Sequence, residues 1–430
     1  MIAFFQRIYK RIKKALIPYY IQFWLYPQKV RIYRHRLRSV RRRGQANVVF
    51  IASSLAMWKY QGLYDLLSQD GRFHPFIVLA PFHTFNEEQK EQSMRVLSGY
   101  FADRNTPCFD SRTVKDLGLW LRDDLRPDLI FYPQPYEELF SNELDWTNNT
   151  TCLISYIPYG ALMLLEPWAY NSSFTNNAWR LYYQSKYNKR IARSISANRG
   201  KNIHISGYIS TDDFINKDFQ DPWKPQGKVK KRIIWAPHFS GAIQPSWLNR
   251  DGFGWLWQFM QEIAVRHKDT LQIAFKPHPR LLTTLYELPE WGKEKADAYF
   301  SWWANGENTQ LETGQFVPLF KSSDAMIHDS NSFIADYLLA EKPVMFTAKN
   351  LEETEKQLDD FGKAALHAHY LAKTTQDVLN FILNVEADAP DPKAAERRAV
   401  VQAHLLPPNG KTAAENIYND LLKAFHFKHK

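Results

Sequence analysis

From Ala46 onward the chain alternates short apolar runs with stretches of helical spacing. Residues 47–53 (NVVFIAS), 76–79, 128–132 (DLIFY), 152–156 (CLISY) and 203–206 predict strands. Helices are predicted over 58–68, 87–102 and 176–197, the last a long polar-aromatic stretch. Runs with no polar alternation are expected where both faces of a strand are covered, which implies a parallel sheet. Residues 209–230 break this rhythm with a polar segment containing two prolines and a glycine, a linker by composition. The alternation then restarts with RIIWAP, a helix over 247–266, LQIAFKP, a turn region at 304–314, DAMIH, a helix over 333–341 and PVMFT. A last helix is predicted over 411–425. The expected fold is α/β, two doubly wound, Rossmann-like domains. The expected divisions are an arm at 1–45, a domain at 46–208, a linker at 209–230, a second domain at 231–390 and a helical segment at 391–430.

Charge changes this picture at one end only. The net charge is +10, yet 13 of the 55 Lys and Arg fall at or before Arg43, and the first acidic residue is Asp65. The remainder is slightly acidic, so no basic groove on the folded body is expected and nucleic acid is not an expected partner. The arm mixes Phe4, Phe5, Ile8, Tyr9 and Ile12 with Arg7, Lys10, Arg11, Lys13 and Lys14. Its most apolar piece, residues 15–27, is broken by Pro18 and Gln22 and falls short of the roughly 20 residues a spanning helix needs. It lacks a signal-peptide cleavage pattern. Such a segment suits the surface of an anionic membrane, and the plainer alternative is a helix packed on the protein with its basic side in water. Two cysteines, Cys108 and Cys152, supply no disulfide framework, which suits a reducing cytosol and leaves the sequons at Asn148, Asn149 and Asn171 without weight.

In open parallel sheets, ligands bind beyond the carboxyl ends of the strands. Three strands of the second half end in polar residues. Pro237-His238-Phe239-Ser240-Gly241 follows the first, Lys276-Pro277-His278-Pro279-Arg280 the second, and His328-Asp329-Ser330-Asn331-Ser332 the third. Each histidine alone is an ordinary structural residue, and the Ser/Asn run alone is an ordinary helix cap. Together they place His, Lys, Arg and Ser on one rim, the chemistry a diphosphate requires. His238 and His278 could donate hydrogen bonds or move protons.

Other signals are weaker. Gly252-Phe253-Gly254 lacks the third glycine of a dinucleotide fingerprint, and no P-loop, HExxH or paired-cysteine metal spacing occurs. No metal and no cofactor are expected. Asp123-Asp124 precedes a strand and suits a solvated helix end. His367 and His369 are expected to be exposed, and Trp302-Trp303 could line a cleft or pack in a core.

The segment from Ile234 to Phe346, with APH, KPHP, SDAMIHDSNSF and EKPVMF, resembles the CDP-glycerol glycerophosphotransferase family, in the branch of surface-polysaccharide loci. WKYQGLYDLL, PDLIFYPQP, SYIPYG and SGYISTDDF agree more loosely in the first half. The resemblance implies a GT-B-like architecture, two domains facing a cleft, with the donor on the second. It implies transfer of glycerol phosphate from CDP-glycerol to an acceptor hydroxyl with release of CMP. His278 matches the family's His-Pro motif at the diphosphate, and Ser330 and Ser332 match its serine pair. Asp336 falls where related enzymes place an acid on the ribose. Lys276, Arg280, Asp329 and Asn331 complete the expected donor-binding set. Teichoic-acid members carry His-Gly-x-Pro after a first-domain strand, and here Tyr156-Ile157-Pro158-Tyr159-Gly160 stands in its place. Tyr156, Tyr159 and Gly160 are therefore expected on the acceptor side, and with no histidine there His238 becomes the candidate base. Unperturbed tyrosines, with a pKa of about 10, are poor bases. The expected partners are a nucleotide-linked donor, a glycan or lipid-linked acceptor and an anionic membrane surface, with the protein peripheral on the inner face of a bacterial cytoplasmic membrane. A nucleotide-sugar glycosyltransferase and a non-catalytic scaffold are the alternatives.

Overall fold

The computed structural model describes residues 24, 26–136, 139–149, 151–215, 219–242, 251–314 and 316–427. The chain divides into two compact units. Unit 1 runs to Leu162 and adds Glu166–Asp212 and the chain from Leu405; unit 2 holds Met163–Leu165 and Asp213–His404.

Unit 1 is built on seven parallel strands: β1 (Ala46–Ala52), β2 (Phe73–Leu79), β3 (Cys108–Asp110), β4 (Leu129–Tyr132), β5 (Leu153–Tyr156), β6 (Arg180–Tyr183) and β7 (Ile203–Ile205). Their order is β3-β2-β1-β4-β5-β6-β7. The unbroken apolar runs have the predicted cause. Val48 and Phe50 enter one core while Val49 and Ile51 enter the other, so successive residues of β1 are buried on opposite faces.

The predicted helix over 176–197 is replaced by a short helix at Ser173–Asn177, strand β6 and a helix at Lys186–Ile195. Tyr182 packs in the first core, Leu181 and Tyr183 in the second. Burial on alternate faces of the sheet overrides the helical spacing of the surrounding polar residues.

The first core is closed by chain ends. Tyr33 and Val40 from the helix Tyr26–Arg43 pack into it, as do Ile417, Leu421 and Phe425 from the helix Ala413–Phe425. Asp212 accepts the amides of Ala413 and Ala414, both at 2.7 Å, and so anchors the start of the last helix. The segment expected at 391–430 is therefore divided, with residues from Leu405 belonging to unit 1. The same holds for the arm: residues 26–43 are a helix docked on unit 1, where Arg36 and Arg43 pair with the buried Asp128. Arg31, Arg34, Arg38 and Arg42 point outward. Residues 1–23 of the expected arm lie outside the described residues. Likewise, the chain beyond Asp212 is no free linker: Trp223 is buried, and the Lys224 amide donates to Gln310 at 2.8 Å within unit 2.

Unit 2 has six parallel strands: β8 (Lys231–Ala236), β9 (Leu271–Phe275), β10 (Thr309–Leu311), β11 (Ala325–His328), β12 (Val344–Thr347) and β13 (Tyr370–Ala372). The order β10-β9-β8-β11-β12-β13 reverses direction between β8 and β11, the doubly wound arrangement. Trp303 is fully buried against Trp235 and Phe275, so it belongs to the core and lines no cleft. His369 is also fully buried, contrary to expectation, while His367 is exposed and hydrogen-bonded to Glu355.

The return of the chain to unit 1 imposes one steric demand. Gly207 has φ +92°, and a Cβ there would lie 2.3 Å from the Cα of Pro407. Gly207→Ala should destabilise the protein by ~2–3 kcal/mol, read as a lower denaturation midpoint at constant m. An unchanged midpoint would contradict this account of how the C-terminal segment is seated.

Candidate active site

The reversal between β8 and β11 is where a sheet of this kind opens to a ligand. The three polar connections emerge there side by side, since β9, β8 and β11 are adjacent and parallel. Backbone contacts lock them together: the amide of His278 donates to the Pro237 carbonyl at 3.0 Å. Asp329, fully buried, accepts the His238 amide at 2.6 Å on one oxygen and the Gly252 amide at 3.0 Å on the other. Asp329 was expected to bind the donor; it is the clamp that joins the β8 and β11 connections to the start of the helix Gly252–Arg266. Gly252 is needed there, because a Cβ would approach Asp329 Oδ2 to 2.9 Å and Thr347 Oγ1 to 2.6 Å.

His238 and His278 lie with ring centroids 4.8 Å apart, and both contact Phe239. Their protonation follows from their neighbours. The amide of Ser240 donates to His238 Nδ1 at 3.3 Å, and the amide of Arg280 donates to His278 Nδ1 at 3.1 Å. A backbone amide can only donate, so each Nδ1 is an acceptor and each neutral ring carries its proton on Nε2. The Ser240 hydroxyl adds a 2.8 Å contact to His238 Nδ1. Burial, with a further push from Arg280, lowers the His278 pKa to about 4. His278 is thus a neutral N–H donor at physiological pH. The His238 tautomer likewise makes it a donor, which counts against the expected role as base.

Lys276 is buried, and its ammonium donates to the Gly314 carbonyl at 2.8 Å. Desolvation lowers its pKa to about 8, with Glu312 opposing the shift. The Arg280 guanidinium sits 4.4 Å from the Phe239 ring centroid, a cation–π contact that leaves the residue exposed.

Ser330 begins the helix Asn331–Asp336, but its side chain makes no capping hydrogen bond. Its hydroxyl instead contacts the Ser332 hydroxyl at 3.1 Å, while its amide donates to Nδ1 of the buried His328 at 3.2 Å. Ser330 therefore does not cap this helix through its side chain. Asn331 is half-buried and Ser332 exposed at the helix start, whereas Asp336 is only 4% exposed and has little surface to offer a ribose.

On unit 1, Tyr156 is buried beneath the end of β5, and desolvation drives its pKa far up. It cannot serve as an acceptor contact or as a base. Tyr159 is exposed and Gly160 half-buried, and a Cβ on Gly160 would meet no atom within 4 Å. Sequence reasoning gave no role of its own to Phe239, which contacts both histidines, or to His328, which shapes the serine turn. It read Gly252 only as part of the incomplete fingerprint Gly252-Phe253-Gly254, not as the point where a side chain would meet Asp329.

A family model described as CDP-glycerol:poly(glycerophosphate) glycerophosphotransferase matches residues 171–423, more than half of the chain. The chain belongs to that family. It is a CDP-glycerol glycerophosphotransferase-like transferase. A variant of the wall teichoic acid polymerase TagF, soaked with CDPG, is similar over 100% of both chains at 12% identity and a TM-score of 0.55. The S. aureus MnaA–UDP structure is similar over 90% of this chain and 98% of its own, at 13% identity and a TM-score of 0.54. A putative UDP-N-acetylglucosamine 2-epimerase from Listeria monocytogenes covers the same shares at 13% identity and a TM-score of 0.56. At these identities the likenesses establish the GT-B fold of the glycerophosphotransferase. No curated protein sequence matches the chain.

Because the folded His278 pKa lies below the value of about 6.5 for an unfolded histidine, the native state binds fewer protons than the unfolded one between those values. Its contribution to stability is therefore present above that window and declines as pH falls from about 6.5 towards 4. Imidazole proton shifts followed by NMR should give His278 a midpoint near pH 4. A midpoint near pH 6.5 would overturn the donor assignment.

Proposed function

We propose that the protein transfers glycerol phosphate from CDP-glycerol to a hydroxyl of a lipid-linked surface glycan, releasing CMP. The observation that carries this reading is the unit 2 rim, where neutral N–H donors, hydroxyls and cations converge at the sheet's reversal point in a member of this family. The acceptor oxygen attacks the phosphorus that bears glycerol. The bond from that phosphorus to the bridging oxygen breaks, and the electron pair leaves with CMP. Negative charge grows on the bridging and non-bridging oxygens, and catalysis of such a transfer is mainly its stabilisation by fixed donors.

Each residue has a part in that task. His278 and His238 donate from Nε2 to the diphosphate, and Ser330 and Ser332 donate from their hydroxyls. Arg280 supplies an exposed cation, and Lys276 a buried one that also holds the chain at Gly314. Asp329 positions His238. The proton of the acceptor hydroxyl goes to a group other than Tyr156.

Thermal shift tests the donor assignment. CDP-glycerol at about a hundred times its dissociation constant should add about 2.7 kcal/mol of stability. UDP- and GDP-sugars should add little, and Ser332→Ala or His278→Ala should reduce the cytidine effect. Stabilisation by UDP- or GDP-sugars instead would turn the reading to a nucleotide-sugar glycosyltransferase.

The same proposal places the protein on the inner face of the cytoplasmic membrane. What supports this is the outward row Arg31, Arg34, Arg38 and Arg42 on a helix whose other face is docked. Among the described residues, no helix is long and apolar enough to cross a membrane. Basic residues at an anionic surface are worth about 1 kcal/mol each. Co-sedimentation with phosphatidylglycerol vesicles should be lost at high salt and in the triple variant Arg31→Glu, Arg34→Glu, Arg38→Glu. Binding unaffected by either change would refute this part of the proposal.

A further inference from the structure

Unit 1 has its own rim, and its chemistry differs from that of unit 2. Gln134 and Tyr136 follow β4, Tyr159 follows β5, and Glu166 and Trp168 come from the β5–β6 connection. Strands β4 and β5 are neighbours beside the reversal between β1 and β4, so this too is a ligand position for a doubly wound sheet. The rings of Tyr136 and Trp168 meet at 5.1 Å between centroids and 47° between planes. Tyr136, Tyr159 and Trp168 remain 38%, 39% and 40% exposed, while Tyr132 and Tyr156 at the ends of β4 and β5 are buried.

A carboxylate completes the group. Glu166 lies two residues before Trp168 on the same connection, its charge raises the pKa of both Tyr136 and Tyr159, and Gln134 hydrogen-bonds Tyr159. Glu166 is half-buried and its own pKa is raised by desolvation. No Lys or Arg is among the described residues named in this group. Flat apolar faces bordered by a carboxylate and an amide match a ligand with one C–H face and hydroxyls at its edge, and they repel an anion.

We propose that this rim is a sugar-binding platform, in which Tyr136, Tyr159 and Trp168 take the C–H face of a pyranose while Glu166 and Gln134 hydrogen-bond its hydroxyls. The inference rests on the transferase reading above and deepens it, by making the acceptor's recognised part a sugar ring instead of a polyanionic glycerol phosphate chain.

Saturation-transfer difference NMR on the full chain tests it, with N,N′-diacetylchitobiose, cellobiose and an oligomer of glycerol phosphate as probes. A disaccharide should receive saturation at its ring C–H protons, and Trp168→Ala and Tyr136→Ala should each weaken it by about tenfold, the scale of one ordinary contact. Both side chains are exposed, so the fold should tolerate the changes, and stabilisation by CDP-glycerol in the same variants should match that of the parent. Transfer to the glycerol phosphate oligomer but to neither sugar would overturn the proposal, as would sugar signals that both variants leave intact. If the sugar arm behaves as expected while CDP-glycerol stabilises none of the proteins, the donor reading falls and the platform stands.

Discussion

The Asp329 carboxylate is buried where two connections and a helix start must meet. Each of its oxygens accepts one backbone amide, from His238 and from Gly252. A buried charge of this kind is tolerated only when hydrogen bonds compensate its lost hydration, and here the compensation also defines the site. Because His238 is held by its own amide, its ring stands beside Phe239 and His278 without having to be held by a ligand. Gly252 permits the approach by lacking a side chain. The position at the reversal between β8 and β11 then follows from strand order alone.

Burial sets the electrostatic character of this rim. The His278 ring is neutral because desolvation and Arg280 both oppose its protonation, and the Nδ1 contacts fix the tautomer. A neutral N–H held in place can stabilise charge that develops during transfer without first giving up a tightly bound counter-ion. Lys276 is a different case, since its ammonium is already engaged by a carbonyl and weakened by burial. Arg280 is stacked on Phe239 and exposed, with its guanidinium open to solvent.

Much of this was legible in the residues. The strands announce themselves because both of their faces are covered, and the KPHP and DSNSF connections place their chemistry at strand ends. What was not legible depends on partners distant in sequence. The run 176–197 has helical spacing, yet Leu181, Tyr182 and Tyr183 pair with β7 and are buried on alternate faces of the sheet. Asp329 looks like one more polar residue of a binding turn until the amides of His238 and Gly252 are seen on it. Tyr156 has the right position for an acceptor contact but points into a core, while Glu166 and Trp168 carry no motif and gain meaning only beside Tyr136 and Tyr159. The helix over 413–425 was readable as a helix, but its place on the first unit was not.

The central claim is that the unit 2 rim activates a cytidine diphosphate-linked glycerol donor for phosphoryl transfer. Phosphorus-31 NMR of CDP-glycerol incubated with the full-length protein and bacterial membranes tests it most directly. The account predicts that the paired diphosphate signals decline while a CMP monoester and a new phosphodiester appear in equal amounts, and that His278→Gln slows all three changes together. Free glycerol phosphate formed with CMP in place of a phosphodiester, or a donor left intact while a UDP-sugar is consumed, would contradict it.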